Sequence, residues 1–235
     1  MIRRRGRAVH DDDPVAVTLR EVAREPAPDG SESVLLTTDR GRVTCRLHAA
    51  DHGDAAVVWV FGSGGGLGGP AGGVYARLGR QLATEGLTSL EVAYRRPGEL
   101  AECVLDTQLG VAWLGTLGRS RVVLVGHSFG GAVVIAAGAA SGAVIAVAAL
   151  SSQSAGTGAV AAVAPRPLLL AHGTADEILP DRCSRDIHAR AGEPKRLILY
   201  PGCRHGLDEC RDTLDADLTA WLRAVVGPTP PRAPR

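Results

Sequence analysis

Aromatic side chains are scarce in this chain of 235 residues: Phe, Trp and Tyr together make up 3% of it. A core must therefore be filled by Val, Leu, Ile and Ala, and glycine is plentiful at 30 residues. An excess of charge is also lacking. With 26 basic residues against 25 acidic ones, no global field draws in nucleic acid or an anionic membrane. The one basic run, Arg3-Arg4-Arg5-Gly6-Arg7, is cancelled locally by Asp11-Asp12-Asp13 and reads as a solvated tail. Long apolar runs are missing too. The longest, 142–150, is too short to cross a bilayer, and no apolar stretch follows the N-terminal arginines as a secretory signal requires. Metal-ligand spacing is absent among the five cysteines. Cys203 and Cys210 flank His205, but no second Cys/His pair completes four ligands. Reduced thiols in a reducing compartment fit this pattern, and the expected location is the cytoplasm.

What is present is an alternation. Short β-branched runs at 34–38, 42–48, 56–61, 88–94, 121–126, 144–150, 167–171 and 196–200 read as strands, with a further candidate at 15–22. Ala/Leu-rich stretches at 74–85, 100–117, 130–140, 181–191 and 208–226 read as helices. Asp39-Arg40-Gly41 joins the first strand pair as a hairpin. Strands as apolar as Val122-Val123-Leu124-Val125 need cover on both faces, which is the mark of a parallel sheet between helices. The pattern predicts an α/β three-layer sandwich with an antiparallel N-terminal hairpin at one edge. Residues 15–226 form one domain, with a tail at 1–14 and a Pro-rich tail at 227–235.

One motif carries chemistry. Gly126-His127-Ser128-Phe129-Gly130 stands where an apolar strand ends and an Ala-rich helix begins. A strand that turns at once into a helix lifts its central hydroxyl clear of the sheet, above amides that favour negative charge. The bland alternative is a serine that caps the helix. A nucleophilic serine needs a base and a group to orient that base. Strand 167–171 runs into His172-Gly173-Thr174-Ala175-Asp176, and strand 196–200 into Pro201-Gly202-Cys203-Arg204-His205. Both endings lie where α/β sheets assemble their sites. Asp176 is therefore the expected acid and His205 the expected base. Glu177 should point away from them, His127 should project away from Ser128, and His172 should brace the acid turn. His10, His48, His52 and His188 have no supporting context.

Charge that develops on the substrate oxygen needs donors. The Phe129 amide is one. The second is expected from Gly62-Ser63-Gly64-Gly65-Gly66 after strand 56–61, from the Ser63 amide or else that of Gly64. The same loop does not read as a phosphate cradle, because no Lys-Ser/Thr ends it and Leu67 stands where a G-x-G-x-x-G pattern needs glycine.

Taken together, the GHSFGG elbow, the Gly-rich loop, the HGTAD turn and the GCRHG loop resemble the α/β-hydrolase superfamily over roughly residues 34–226. Tyr94-Arg95 and Asp106 are similar to positions in small dienelactone-hydrolase-like members. The resemblance implies an eight-stranded, mostly parallel sheet and a metal-free triad with no cofactor. Phe61-Gly62 departs from the family's usual His-Gly at the start of the oxyanion loop. The short 151–164 connection implies no helical lid. The expected activity is a serine hydrolase that cleaves a small ester or thioester through an acyl-enzyme on Ser128. Acyl transfer or cofactor-free perhydrolysis by the same residues is one alternative, and a non-catalytic binding module is another. Arg95 and Arg96 are candidate anion contacts.

Overall fold

The computed structural model describes residues 16–228; the tail expected at 1–14 and all but the first two residues of the one at 227–235 lie outside them. One sheet runs through the domain in the order β1-β2-β3-β5-β4-β6-β7-β8-β9. β1 (Leu19–Pro26), β2 (Glu32–Thr38) and β3 (Gly41–His48) are antiparallel, and β3 is antiparallel to β5 (Thr88–Ala93). From β5 onward every pairing is parallel, through β4 (Ala55–Val60), β6 (Arg121–His127), β7 (Val144–Leu150), β8 (Leu168–Gly173) and β9 (Lys195–Tyr200).

The alternation of side chains along β4 and β6 explains the layers. Ala56, Val58, Val60, Val122 and Leu124 face one core, while Ala55, Val57, Trp59, Val123 and Val125 face the other. Helices α2 (Leu100–Thr116), α3 (Phe129–Ala139) and α4 (Arg182–Arg190) cover the first. Helices α1 (Pro70–Ala83) and α5 (Arg211–Val226) cover the second. Burial on both faces is why these strands carry no polar stripe.

Four expectations change. The sheet has nine strands, not eight, because β1 joins it as an edge strand. That strand lies further along the chain than 15–22, since its pairing runs on to Pro26 opposite Glu32; an edge position tolerates the missing N–H of proline. Helix α5 begins at Arg211 instead of 208, because 208–210 belong to a loop closed by a disulfide between Cys203 and Cys210. This bond also corrects the reading of five reduced thiols: Cys45, Cys103 and Cys183 are free, Cys203 and Cys210 are not. The argument for a reducing compartment that rested on those thiols goes with it. Among the described residues no helix is long and apolar enough to cross a membrane.

Candidate active site

Ser128 occupies the sharp junction between β6 and α3, with φ 58° and ψ −120°. A non-glycine residue there costs on the order of 1–3 kcal/mol and persists only where its surroundings over-determine it. They do so here. Ser128 N–H donates to the Leu150 carbonyl at 2.8 Å, and its own carbonyl accepts from Gly131 N–H at 3.1 Å. The flanking glycines allow the turn to close: a Cβ on Gly126 would collide with the Gly130 carbonyl, and one on Gly130 with the Phe61 carbonyl. The Ser128 hydroxyl makes no cap bond to α3, so the capping alternative fails.

The hydroxyl instead reaches His205. Its Oγ lies 3.0 Å from His205 Nε2, and His205 Nδ1 lies 2.8 Å from Asp176 Oδ2. The Asp176 side chain is fully buried and that of His205 is 16% exposed. Burial alone would raise the Asp176 carboxyl. Hydrogen bonds from His205 and from the Leu179 and Ile178 amides outweigh it and hold the group below the ordinary carboxylate range. An ionised carboxylate only accepts, so Nδ1 carries the proton and Nε2 is left to accept from the Ser128 hydroxyl.

His172 and Ser184 complete the support of the acid. His172 Nε2 stands 3.1 Å from Asp176 Oδ2 and 2.8 Å from the Leu179 carbonyl. Both are acceptors, so Nε2 donates and Nδ1 accepts from the Ser184 hydroxyl at 2.7 Å. The bracing expected of His172 is present, and Ser184 is a partner the sequence did not indicate. One other expectation is corrected. Glu177 does not point away, because its Oε2 accepts the His205 backbone N–H at 3.3 Å. His127 leaves Ser128 as expected; its Nε2 donates to the His205 carbonyl at 2.9 Å and its ring centre is 4.8 Å from that of His205. A free carboxylate on the sharp turn and a histidine beside the elbow both find backbone of the same loop, a closeness that no spacing in the chain announces.

Burial pushes His127 down to about 4, so it is neutral at pH 7 and does not repel a charge forming on His205. The depressed value carries a stability consequence. As pH falls through about 6.5 an unfolded chain binds a proton here that the folded one refuses until about 4, so stability is full above 6.5 and drops across that interval. The expected loss is roughly 3 kcal/mol. Denaturant midpoints between pH 4 and 8 should show a steeper decline for the native protein than for His127→Asn. Parallel curves would refute this. His48, also lowered mainly by burial, contributes in the same direction to both proteins.

Two of the scarce aromatics, Tyr75 and Tyr94, support the strand end from which the glycine loop departs. Tyr75 Oη donates to the Val60 carbonyl at 2.9 Å and Tyr94 Oη to the Phe61 carbonyl at 3.2 Å. Glu91, buried beneath, accepts from Gly68 N–H at 2.5 Å. With its end held this way, the loop brings Gly62 against the candidate nucleophile: a Cβ there would be 3.6 Å from Ser128 Cβ. Ser63 and Gly64 follow on the exposed side. Phe129 is the first residue of α3, where the N–H has no partner within the helix. Tyr75, Tyr94 and Glu91 were not singled out as supports of this loop from the sequence.

Arg95 is not an anion contact. Its side chain is 4% exposed and is spent on Asp106 and on Glu102, the latter at 3.0 Å. Glu102 in turn pairs with Arg40. Arg96 is exposed and pairs with Glu99 at 3.4 Å. A surface groove of about 690 Å³ is bordered by Arg46, Arg77, Arg80 and Arg211 and includes none of Ser128, Asp176 or His205. The connection from β7 to β8 carries a short 3-10 turn, Val160–Val163.

No family profile matches the chain. A 56-residue stretch is 45% identical to the uncharacterized protein YfhR of Escherichia coli K12, covering 24% of this chain and 20% of that protein. The likeness to solved structures is broader. The esterase domain of a Rhodothermus marinus protein superposes with a TM-score of 0.69 at 21% identity, over 84% of this chain and 99% of that one. An alpha-beta serine hydrolase homologue from Coxiella burnetii gives 0.66 at 17%, over 79% and 96%. A dienelactone hydrolase from Anabaena variabilis gives 0.70 at 15%, over 88% and 99%. At such identities the likeness is one of architecture, and with the sheet order and crossovers described above it assigns the chain the α/β-hydrolase fold.

Proposed function

We propose that the protein is a lidless serine hydrolase acting on a small carboxylic ester or thioester. The observation that carries this reading is the hydrogen-bonded chain from Ser128 Oγ through His205 to a buried Asp176 held ionised. In this reading Ser128 Oγ attacks the acyl carbon while His205 Nε2 takes its proton. The oxygen of the tetrahedral intermediate is held by the Phe129 amide and by that of Ser63, with Gly64 beside it. His205, now an imidazolium stabilised by Asp176, gives its proton to the leaving group. A water then enters by the same route in reverse and frees the acid from Ser128.

We take the walls of the site from segments 65–73, 95–103, 151–160 and 177–182, whose mostly small side chains support a small acyl group. The glycine loop abuts the 95–98 turn so closely that a Cβ on Gly65 would stand 2.8 Å from Pro97. One on Gly156 would stand 2.8 Å from Leu100. Ile178, 64% exposed and two residues from Asp176, offers apolar surface beside the acid turn. The names of the matched esterase domain and of the dienelactone hydrolase agree with ester chemistry.

A fluorophosphonate probe tests this directly. It should label Ser128 of the folded protein stoichiometrically, located by peptide mass mapping; folded protein that takes no label would end the hydrolase reading. A series of acyl esters should then show rates falling as the acyl chain lengthens.

A further inference from the structure

We propose that the Cys203–Cys210 disulfide is a positioning clamp on the His205 loop, so that the hydrolase works with the bond closed and slows when it opens. This rests on the role given to His205 above.

The bond spans 5.9 Å between Cα atoms and a separation of seven residues, and the loop it closes contains His205. Its two ends are fixed to different parts of the fold. Cys203 is fully buried just past β9, and its carbonyl accepts from Ala175 N–H at 3.0 Å, beside the acid turn. Cys210 stands at the N-terminus of α5 and its carbonyl accepts from Leu214 N–H at 2.8 Å. The bond therefore ties the end of a strand to the start of a helix, with the candidate base between them.

The other tethers of this loop are weaker. Arg204 pairs with Glu209 across the same ring at 2.8 Å, but at 65% and 39% exposure such a pair adds little. The His205 backbone is held by one long bond to Glu177 and by the bond from His127 to its carbonyl, and its ring by the 2.8 Å bond to Asp176. The Gly206 carbonyl accepts from Ala71 N–H at 2.7 Å. Leu207 is buried in left-handed backbone, φ 60°, a conformation that leucine leaves when its surroundings allow. The covalent link is the constraint that holds this turn closed, and the 3.0 Å approach of His205 to Ser128 depends on the turn.

Opening the bond is ordinary exchange with a dithiol. A thiolate of the reductant attacks the sulfur of Cys210, the less buried of the two. The S–S bond breaks and Cys203 leaves with the electron pair and takes a proton. The second thiol of the reductant then attacks the mixed disulfide, releasing Cys210 as a thiol and closing the reductant into its own disulfide. Two electrons and two protons pass to the protein.

The test compares the full chain before and after dithiothreitol, with the opening of this pair followed by alkylation and mass mapping. With p-nitrophenyl acetate, opening should lower kcat by about 10- to 100-fold at nearly constant KM, as expected for a displaced base. Fluorophosphonate labelling of Ser128 should slow in parallel, and reoxidation should restore both. The double variant C203S/C210S should be low in kcat, indifferent to dithiothreitol, and still show a cooperative unfolding transition. Unchanged kcat in protein whose pair is shown to be open, or full activity of the double variant, overturns the clamp. Loss of cooperative unfolding on reduction overturns it also, because the bond would then brace the whole fold. Oxidised protein inert to both ester and fluorophosphonate would instead refute the hydrolase reading, and the clamp with it.

Discussion

Ser128→Ala and His205→Ala should each lower kcat for p-nitrophenyl acetate by about 10⁴-fold or more, and the double variant should be scarcely worse than either alone. The two groups act as a unit. Without Oγ there is nothing for His205 to deprotonate, and without the imidazole the hydroxyl attacks as a neutral, weak nucleophile. Residual rate over the uncatalysed reaction should survive in both, because the Phe129 and Ser63 amides stay where they are. Ser128→Ala should cost little stability, whereas His205→Ala takes a hydrogen bond from the buried Asp176 carboxylate and should cost about 1–3 kcal/mol. Ser128 Oγ caps nothing, and alanine suffers the same backbone strain at φ 58° that serine does. His205 makes only one further side-chain contact of note, with the His127 ring. A cooperative unfolding transition retained in each variant, beside a collapsed kcat, would separate loss of chemistry from loss of fold. Either variant retaining a substantial share of kcat would mean that the nucleophile or its base lies elsewhere.

Much of this geometry was legible in the chain because it depends on local order. A fully apolar strand followed at once by an Ala-rich helix places Ser128 whatever the rest of the fold does, and the turns after β8 and β9 deliver Asp176 and His205 to the same edge. What the sequence did not reveal depends on contacts between distant segments. Glu177 was expected to point away because neighbours on a turn diverge, yet the His205 loop folds back over it. Cys203 and Cys210 carry no spacing that separates a disulfide from two thiols, since that depends on where β9 ends and α5 starts. Tyr75 and Tyr94 look like ordinary core aromatics on a helix and at a strand end. Only the sheet order, which sets β4 beside β5 and β6, turns their hydroxyls toward the carbonyls that shape the glycine loop. The edge strand β1 was displaced by several residues because pairing with β2, not its own alternation, decides where it runs.

Asp176→Asn should be nearly as damaging as loss of the base, by about 10³- to 10⁴-fold in kcat, although the two side chains are the same size. The acid's Oδ1 accepts from the Ile178 and Leu179 amides at 2.9 and 2.7 Å, and an asparagine carbonyl can keep those bonds. Its NH₂ must then take the place of Oδ2, where it meets two rings that both donate, His205 from Nδ1 and His172 from Nε2. His205 can satisfy the amide only by giving up the Nδ1 proton and carrying it on Nε2, the tautomer that cannot accept from Ser128. His172 is held against such a change by Ser184 and the Leu179 carbonyl, so the clash is not relieved from that side. Glu177→Gln should change kcat by no more than about threefold, because an amide oxygen still accepts a backbone N–H and the bond is exposed and long. The pair of variants decides which carboxylate orients the base. Near-native activity in Asp176→Asn together with collapse in Glu177→Gln would transfer the role to Glu177; collapse in Asp176→Asn alone, with Ser128 still slowly labelled by fluorophosphonate, is the outcome that a buried, ionised Asp176 requires.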